Sequence, residues 1–125
     1  MLSTLLQIAV GGAIGAVARY LTSLGALRLM GAGFPWGTLA VNVIGSFLAG
    51  FVVVVLAQKD ATRLAPFLLT GILGGFTTFS AFSLETMALY ERGETALAAF
   101  YAGASVLLSL GALALAMILA KGIFQ

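Results

Sequence analysis

The sequence predicts an all-α membrane protein of four transmembrane helices, the third broken near its middle. Three observations carry that class. The 125-residue chain is 62% hydrophobic and only 8% charged, where a water-facing surface would raise the charged share to about 25%. Its charges gather mostly in short intervals, and the apolar stretches between them reach the roughly 20 residues a helix needs to cross a bilayer core. The third stretch carries adjacent glycines and a run of hydroxyl residues at its centre.

The spans are expected at residues 5–30, 36–57, 64–90 and 95–119 of a single domain covering 1–125. Met1-Leu2-Ser3-Thr4 has no basic character and no small-residue cleavage site follows, so the first span is expected to be retained, not removed as a signal peptide. Gly31-Ala32-Gly33-Phe34-Pro35 ends it. Pro35 is placed to open the second helix, because a first-turn proline loses no needed hydrogen bond, and Trp36 falls where interfacial aromatics collect. Residues 58–63 form the second loop, and Pro66 comes early in the third span. Gly93 is a left-handed terminator, after which Glu94 or Thr95 starts the fourth helix. Short loops make neighbouring helices antiparallel.

The third span contains Thr70-Gly71-Ile72-Leu73-Gly74-Gly75-Phe76-Thr77-Thr78-Phe79-Ser80-Ala81-Phe82-Ser83. A lipid-facing helix gains nothing from such a centre, which points to a break at the bilayer midplane. Breaks are tolerated there only where the freed backbone is buried in protein, lines a watery cavity or binds an ion. The alternative is a continuous helix whose Gly71 and Gly75 permit close packing.

Basic residues divide almost evenly between the two faces. Lys59, Arg63 and Lys121 lie on one; Arg28 and Arg92 lie on the other, with Arg19 toward it. The positive-inside rule has little lever here. Such a chain could insert both ways up and form an antiparallel dimer, or take one orientation for reasons outside its charge.

With no cysteine and no histidine, disulfides, thiolate or imidazole metal sites and the Ser-His pairing are excluded. No basic run suits nucleic acid and no nucleotide-binding motif is present. Membrane transport or scaffolding remains.

Polar residues fall into stripes. Thr38, Asn42, Ser46 and Ala49 share one face of the second helix, and Tyr101, Ser105 and Ser109 one face of the fourth. Hydroxyls alone are explained by helix-to-helix hydrogen bonding. Asn42 is harder to dismiss, since a lipid-buried amide must satisfy two donors and an oxygen, and its NH2 suits a small anion. Phe79 and Phe82, one turn apart with Ser80, Ser83 and Thr86 nearby, read from spacing as packing; the positive edge of an aromatic ring would equally attract an anion. Arg19 and Glu85, the ionisable groups within spans, either serve a function or snorkel to the interface.

The run Gly74-Gly75-Phe76-Thr77-Thr78-Phe79-Ser80-Ala81-Phe82-Ser83 followed by Glu85 resembles the signature of the Fluc (CrcB) fluoride channels. Gly11, Gly12, Gly15, Ala16, Arg19 and Tyr20 resemble that family's first helix; Gly37, Thr38, Leu39, Asn42, Gly45 and Gly50 its second; and Tyr101-Ala102-Gly103-Ala104-Ser105 its fourth. The resemblance implies an antiparallel, dual-topology homodimer in the bacterial inner membrane that passively exports fluoride and protects the cell from it. It also implies a structural sodium ion at the dimer centre, held by the backbone carbonyls of Gly74 and Thr77. Phe79 and Phe82 would be the pore phenylalanines, Asn42 the pore amide, and Tyr101, Ser105 and Ser109 a polar track, with Thr38, Ser83 and Glu85 on the same pathway and Arg19 at the family's basic position. Ala81 departs from the pattern, standing where many relatives carry threonine. The expected partners are fluoride, a second copy of the chain and lipid, with no nucleic acid. A small multidrug exporter is disfavoured because the first span holds no carboxylate; a packing subunit without transport is the rival from another class.

Overall fold

Nothing in the opening apolar run interrupts a helix until Gly31, whose φ of 80° closes α1 (Leu2–Met30) with its N–H donating to the Leu27 carbonyl. Residues 1–124 are described in this computed structural model. Pro35 stands just outside α2 (Trp36–Gln58), not in its first turn, because its ψ of 67° is not helical. At 23 residues, α2 rises about 35 Å, enough for a hydrocarbon core of about 30 Å. The chain turns through Asp60, which takes φ 52°.

The third span, Thr62–Glu91, is assembled from unlike pieces. A 3-10 turn (Thr62–Leu64) leads into a π-helical segment (Pro66–Leu73) and one α turn, α3 (Gly74–Phe76). Thr77 and Thr78 are extended, and α4 (Phe79–Glu91) resumes beyond them. The span is therefore broken near its middle, at the threonines and not at the glycines. Gly93, at φ 83°, turns the chain into α5 (Thr95–Phe124). α5 runs past the expected end at 119, since Lys121 suits the negative end of a helix, and α1 begins at Leu2, ahead of the expected residue 5. Among the described residues, four stretches are long and apolar enough to cross a membrane.

α2 packs chiefly along α5, while α1 lies against the π-helical segment and α3. Glycines set both contacts. A Cβ on Gly50 would stand 2.5 Å from the Leu113 carbonyl oxygen. Along α1, a Cβ on Gly11 would come 2.6 Å from the Phe67 oxygen, and one on Gly15 would collide with the Ile72 oxygen. From the other side, a Cβ on Gly75 would lie 2.6 Å from the Gly12 oxygen. The break and the glycine packing, posed by the sequence as alternatives, coexist. The bundle's buried apolar cluster is small, formed by Leu89, Ala98 and Tyr101 with Phe34, Leu39, Phe82 and Leu97 packed on it. Side chains such as Leu84, Leu107 and Ile118 point outward, as a lipid solvent permits.

Gly15→Ala is expected to destabilise the fold by about 1–3 kcal/mol through overpacking. Gly12→Ala, whose Cβ would meet nothing within 4 Å, should be tolerated. Thermal unfolding in detergent compares them, and equal midpoints would show that the α1 seam is not tight.

Candidate functional site

At the break the helical ladder is replaced by side chains. The Thr77 N–H and hydroxyl both donate to the Leu73 carbonyl, at 3.0 and 2.9 Å. Thr78 Oγ1 caps α4 by accepting from the Ala81 N–H at 3.1 Å. Asn42, reaching across from α2, pairs with both backbone groups of Thr78: its Nδ2 donates to the Thr78 carbonyl at 2.9 Å, and its Oδ1 accepts the Thr78 N–H at 2.8 Å. Arg19 on α1 donates from Nε to the Gly75 carbonyl at 3.1 Å. The carbonyls of Gly74 and Thr77 accept no hydrogen bond among the described residues. Gly45 lies beneath the Thr77 methyl group, where any side chain would collide.

Of these residues Asn42, Gly45, Gly74, Thr77 and Thr78, but not Gly75 or Arg19, border a groove of about 500 Å³ between α2, the third span and α5. Asn42, Ser46 and Ala49 line it from α2, Ser105 and Ser109 from α5, and Gly74, Thr77, Thr78, Phe79 and Phe82 from the third span. The Phe79 and Phe82 rings lie 5.5 Å apart at 52°, and Phe79 is 77% exposed on the single chain.

A second hollow of about 290 Å³ lies toward the first and third loops, lined in part by Phe34, Trp36, Thr38, Glu85 and Arg92. The buried Thr38 hydroxyl donates to Glu85 Oε1, and Arg92 donates to Glu94 Oε2 at 2.8 Å. Tyr101 sits between the two spaces with no exposed surface, its ring 5.3 Å from Phe82 on one side and 5.3 Å, edge-on, from Phe34 on the other. Its hydroxyl lies beside Thr38 and Ser105, and among the described residues neither it nor the buried Ser105 hydroxyl has a partner in full hydrogen-bond geometry. Polar groups therefore follow one another from Ser109 through Ser105 and Tyr101 to Thr38 and Glu85.

Of the residues singled out in the sequence, Asn42, Gly74, Thr77, Phe79, Phe82, Ser105 and Ser109 meet at the groove, and Thr38 and Glu85 at the second hollow. Ser83 joins neither; its hydroxyl donates to the Phe79 carbonyl one turn back. Arg19 turns inward to the break instead of snorkelling. Sequence reasoning missed the Asn42–Thr78 pairing and the Arg19–Gly75 contact, which join positions 36 and 56 residues apart with no local signal. It also missed Phe34, a loop residue in which nothing but its aromatic character marks a site.

A broken third span set among membrane-length helices, with polar groups strung along an otherwise apolar bundle, defines a multi-pass helical membrane protein with an interior polar path. Comparison with known proteins places it more narrowly. The family described as CrcB-like protein, Camphor Resistance (CrcB), matches residues 6–117, and the chain belongs to that family. It is 62% identical over 122 residues, 98% of both chains, to the fluoride-specific ion channel FluC of Cereibacter sphaeroides. It is 56% identical over 124 residues, again 98% of both, to the fluoride-specific ion channel FluC of Ruegeria sp. strain TM1040.

Proposed function

We propose that this chain is a fluoride channel, not an enzyme, that passively exports cytoplasmic fluoride and so protects the cell. The observation that carries the reading is the pair of buried, unpartnered hydroxyls on Tyr101 and Ser105 beside Phe82. An O–H donor buried without a partner costs about 1–3 kcal/mol, and a small anion relieves that cost. Ring edges, hydroxyls and the Asn42 amide are each weak enough to let the ion leave again, as conduction requires. The high identity to relatives named as fluoride-specific channels supports this choice of ion. Hydrogen fluoride enters membranes as a neutral weak acid and ionises in a more alkaline cytoplasm. An inside-negative potential, worth about 2.3 kcal/mol per charge per 100 mV, then drives the anion out without ATP.

The working unit in this proposal is an antiparallel, dual-topology homodimer in the bacterial inner membrane. A groove onto which backbone carbonyls stand open cannot face hydrocarbon, and a second copy seated there would cover both Gly74 and the exposed Phe79. The near-even division of basic residues supports opposite orientations. The carbonyls of Gly74 and Thr77 fit a structural sodium ion, since both oxygens are free of hydrogen bonds among the described residues, both residues line the groove, and hard cations prefer oxygen ligands. Two copies would supply the pair twice. When bound, sodium would neutralise the partial charge of converging carbonyls and add positive potential near the anion's path.

Reconstituted into liposomes with a fluoride electrode outside, the protein should release fluoride. Phe79→Ile and Phe82→Ile keep bulk and apolarity, so stability should change by only about 1 kcal/mol while efflux falls by a large factor. Tyr101→Phe should fold as well as the native chain, since the hydroxyl it removes has no protein partner, yet conduct less. Native efflux from all three variants would take these residues out of the pathway.

Efflux should also fall when sodium is stripped from both sides and return on its addition; full activity in a demonstrably sodium-free dimer would remove the cation from the proposal. Adding two lysines to the loop after α2 should bias insertion and silence the variant expressed alone, with recovery on co-expression with an oppositely biased chain. A biased variant that conducts alone in one proven orientation would overturn the antiparallel dimer.

A further inference from the structure

In an uninterrupted helix the Thr78 N–H would donate to the carbonyl four residues back, which belongs to Gly74, and the Gly75 carbonyl would accept from Phe79. Neither bond forms. Asn42 Oδ1 takes the Thr78 N–H and Asn42 Nδ2 takes the Thr78 carbonyl, while Arg19 Nε takes the Gly75 carbonyl. We propose that Asn42 and Arg19 are positioning residues that hold the third span broken by occupying, from α2 and α1 respectively, the groups through which the helix would heal.

The two act on opposite sides of the gap. Asn42 removes the donor that Gly74 would otherwise receive, so the Gly74 carbonyl stays free because the asparagine outcompetes it for Thr78. Arg19 removes the acceptor that Phe79 would otherwise use, and a charged donor makes a stronger hydrogen bond than a backbone N–H. Both reach the gap because glycines bring their helices close: Gly45 admits the Thr77 methyl beneath α2, and Gly11 and Gly15 seat α1 on the third span. An amide side chain suits the task on α2 because it presents one acceptor and one donor side by side, matching the N–H and C=O of a single extended residue. Thr78, at φ −152° and ψ 120°, is in that conformation. With one Nδ2–H and Oδ1 engaged, one amide hydrogen remains, and Asn42 lines the groove; the clamp therefore also fixes which end of the amide faces it.

The test reads backbone conformation directly, by solid-state NMR on protein labelled at threonine and asparagine in lipid bilayers. In the native chain the Thr78 nitrogen and the Asn42 side-chain carbonyl carbon should show the dipolar coupling of a hydrogen-bonded pair, and Thr77 and Thr78 should have the carbon shifts of extended residues. Asn42→Ala should move the Thr78 shifts to helical values. Asn42→Asp keeps an acceptor for the Thr78 N–H, so its shifts should stay extended even though the introduced charge abolishes fluoride current. Absence of the native coupling, extended Thr78 shifts in Asn42→Ala, or helical shifts in Asn42→Asp would each overturn the proposal. The first of these needs no variant to fold. The clamp stands on geometry alone, so a native chain that shows the coupling but carries no fluoride would overturn the channel reading and leave the clamp in place.

Discussion

Inside a bilayer no water replaces a hydrogen bond that the backbone gives up, and the extended Thr77–Thr78 peptide gives up several. Each freed group costs several kcal/mol if left in hydrocarbon, so the rest of the molecule is constrained by where those groups find partners. Asn42 takes both polar groups of Thr78, Arg19 takes the Gly75 carbonyl, the Thr77 hydroxyl donates back to Leu73, and the Thr78 hydroxyl accepts from the Ala81 N–H ahead of it. The carbonyls of Gly74 and Thr77 are left over, and they border the open groove. Because those two carbonyls border the groove, part of the break's remaining charge separation is directed into it.

This arrangement depends on backbones being close enough for short side chains to reach across. Asparagine has a reach of only two carbons beyond Cα, so α2 must nearly touch the third span, and Gly45 under the Thr77 methyl permits it. Apolar driving force cannot hold such contacts in lipid, since hydrocarbon tails are as apolar as leucine; small-residue packing and interhelical hydrogen bonds take its place. The small buried cluster around Leu89 and Tyr101 and the outward-facing leucines are what that balance produces.

Four membrane-length helices, their order and the interruption of the third were legible from hydropathy, loop chemistry and the glycine-threonine density of one segment. Gly93 was readable as a terminator because its left-handed φ disfavours other residues. The exact point of the break was not, since glycine signals flexibility in a sequence while here Gly74 and Gly75 remain helical and serve packing and acceptor roles. The Asn42, Thr38 and Ser105 stripe could be placed on helix faces by period alone, but the partner of each group lies on another helix. Asn42 accordingly looked like a free donor, whereas two of its hydrogen-bonding positions are already taken. Ser83 shows the converse: a hydroxyl adjacent to the aromatics whose hydrogen bond is made one turn back.

On the proposed reading, the donors left along the polar line are what favour an anion. Thr38 already donates to Glu85 Oε1, which takes up one of that carboxylate's acceptor positions. What remains between the groove and the second hollow are the O–H groups of Tyr101 and Ser105 and the rings of Phe82 and Phe34. Hydroxyls rotate to donate, and aromatic rings present positive edges. The acceptors proposed for the cation are the carbonyls at the break, on Gly74 and Thr77. On the proposed reading the same break thus serves two ions of opposite sign without mixing their paths: the carbonyls of Gly74 and Thr77 border the groove for a fixed cation, while the aromatic turn that follows in α4 leads toward the hydroxyls of Tyr101 and Ser105 on α5. A continuous third helix would remove both at once, because its carbonyls would be bonded within the ladder and Phe79 and Phe82 would be rotated to different positions against Tyr101.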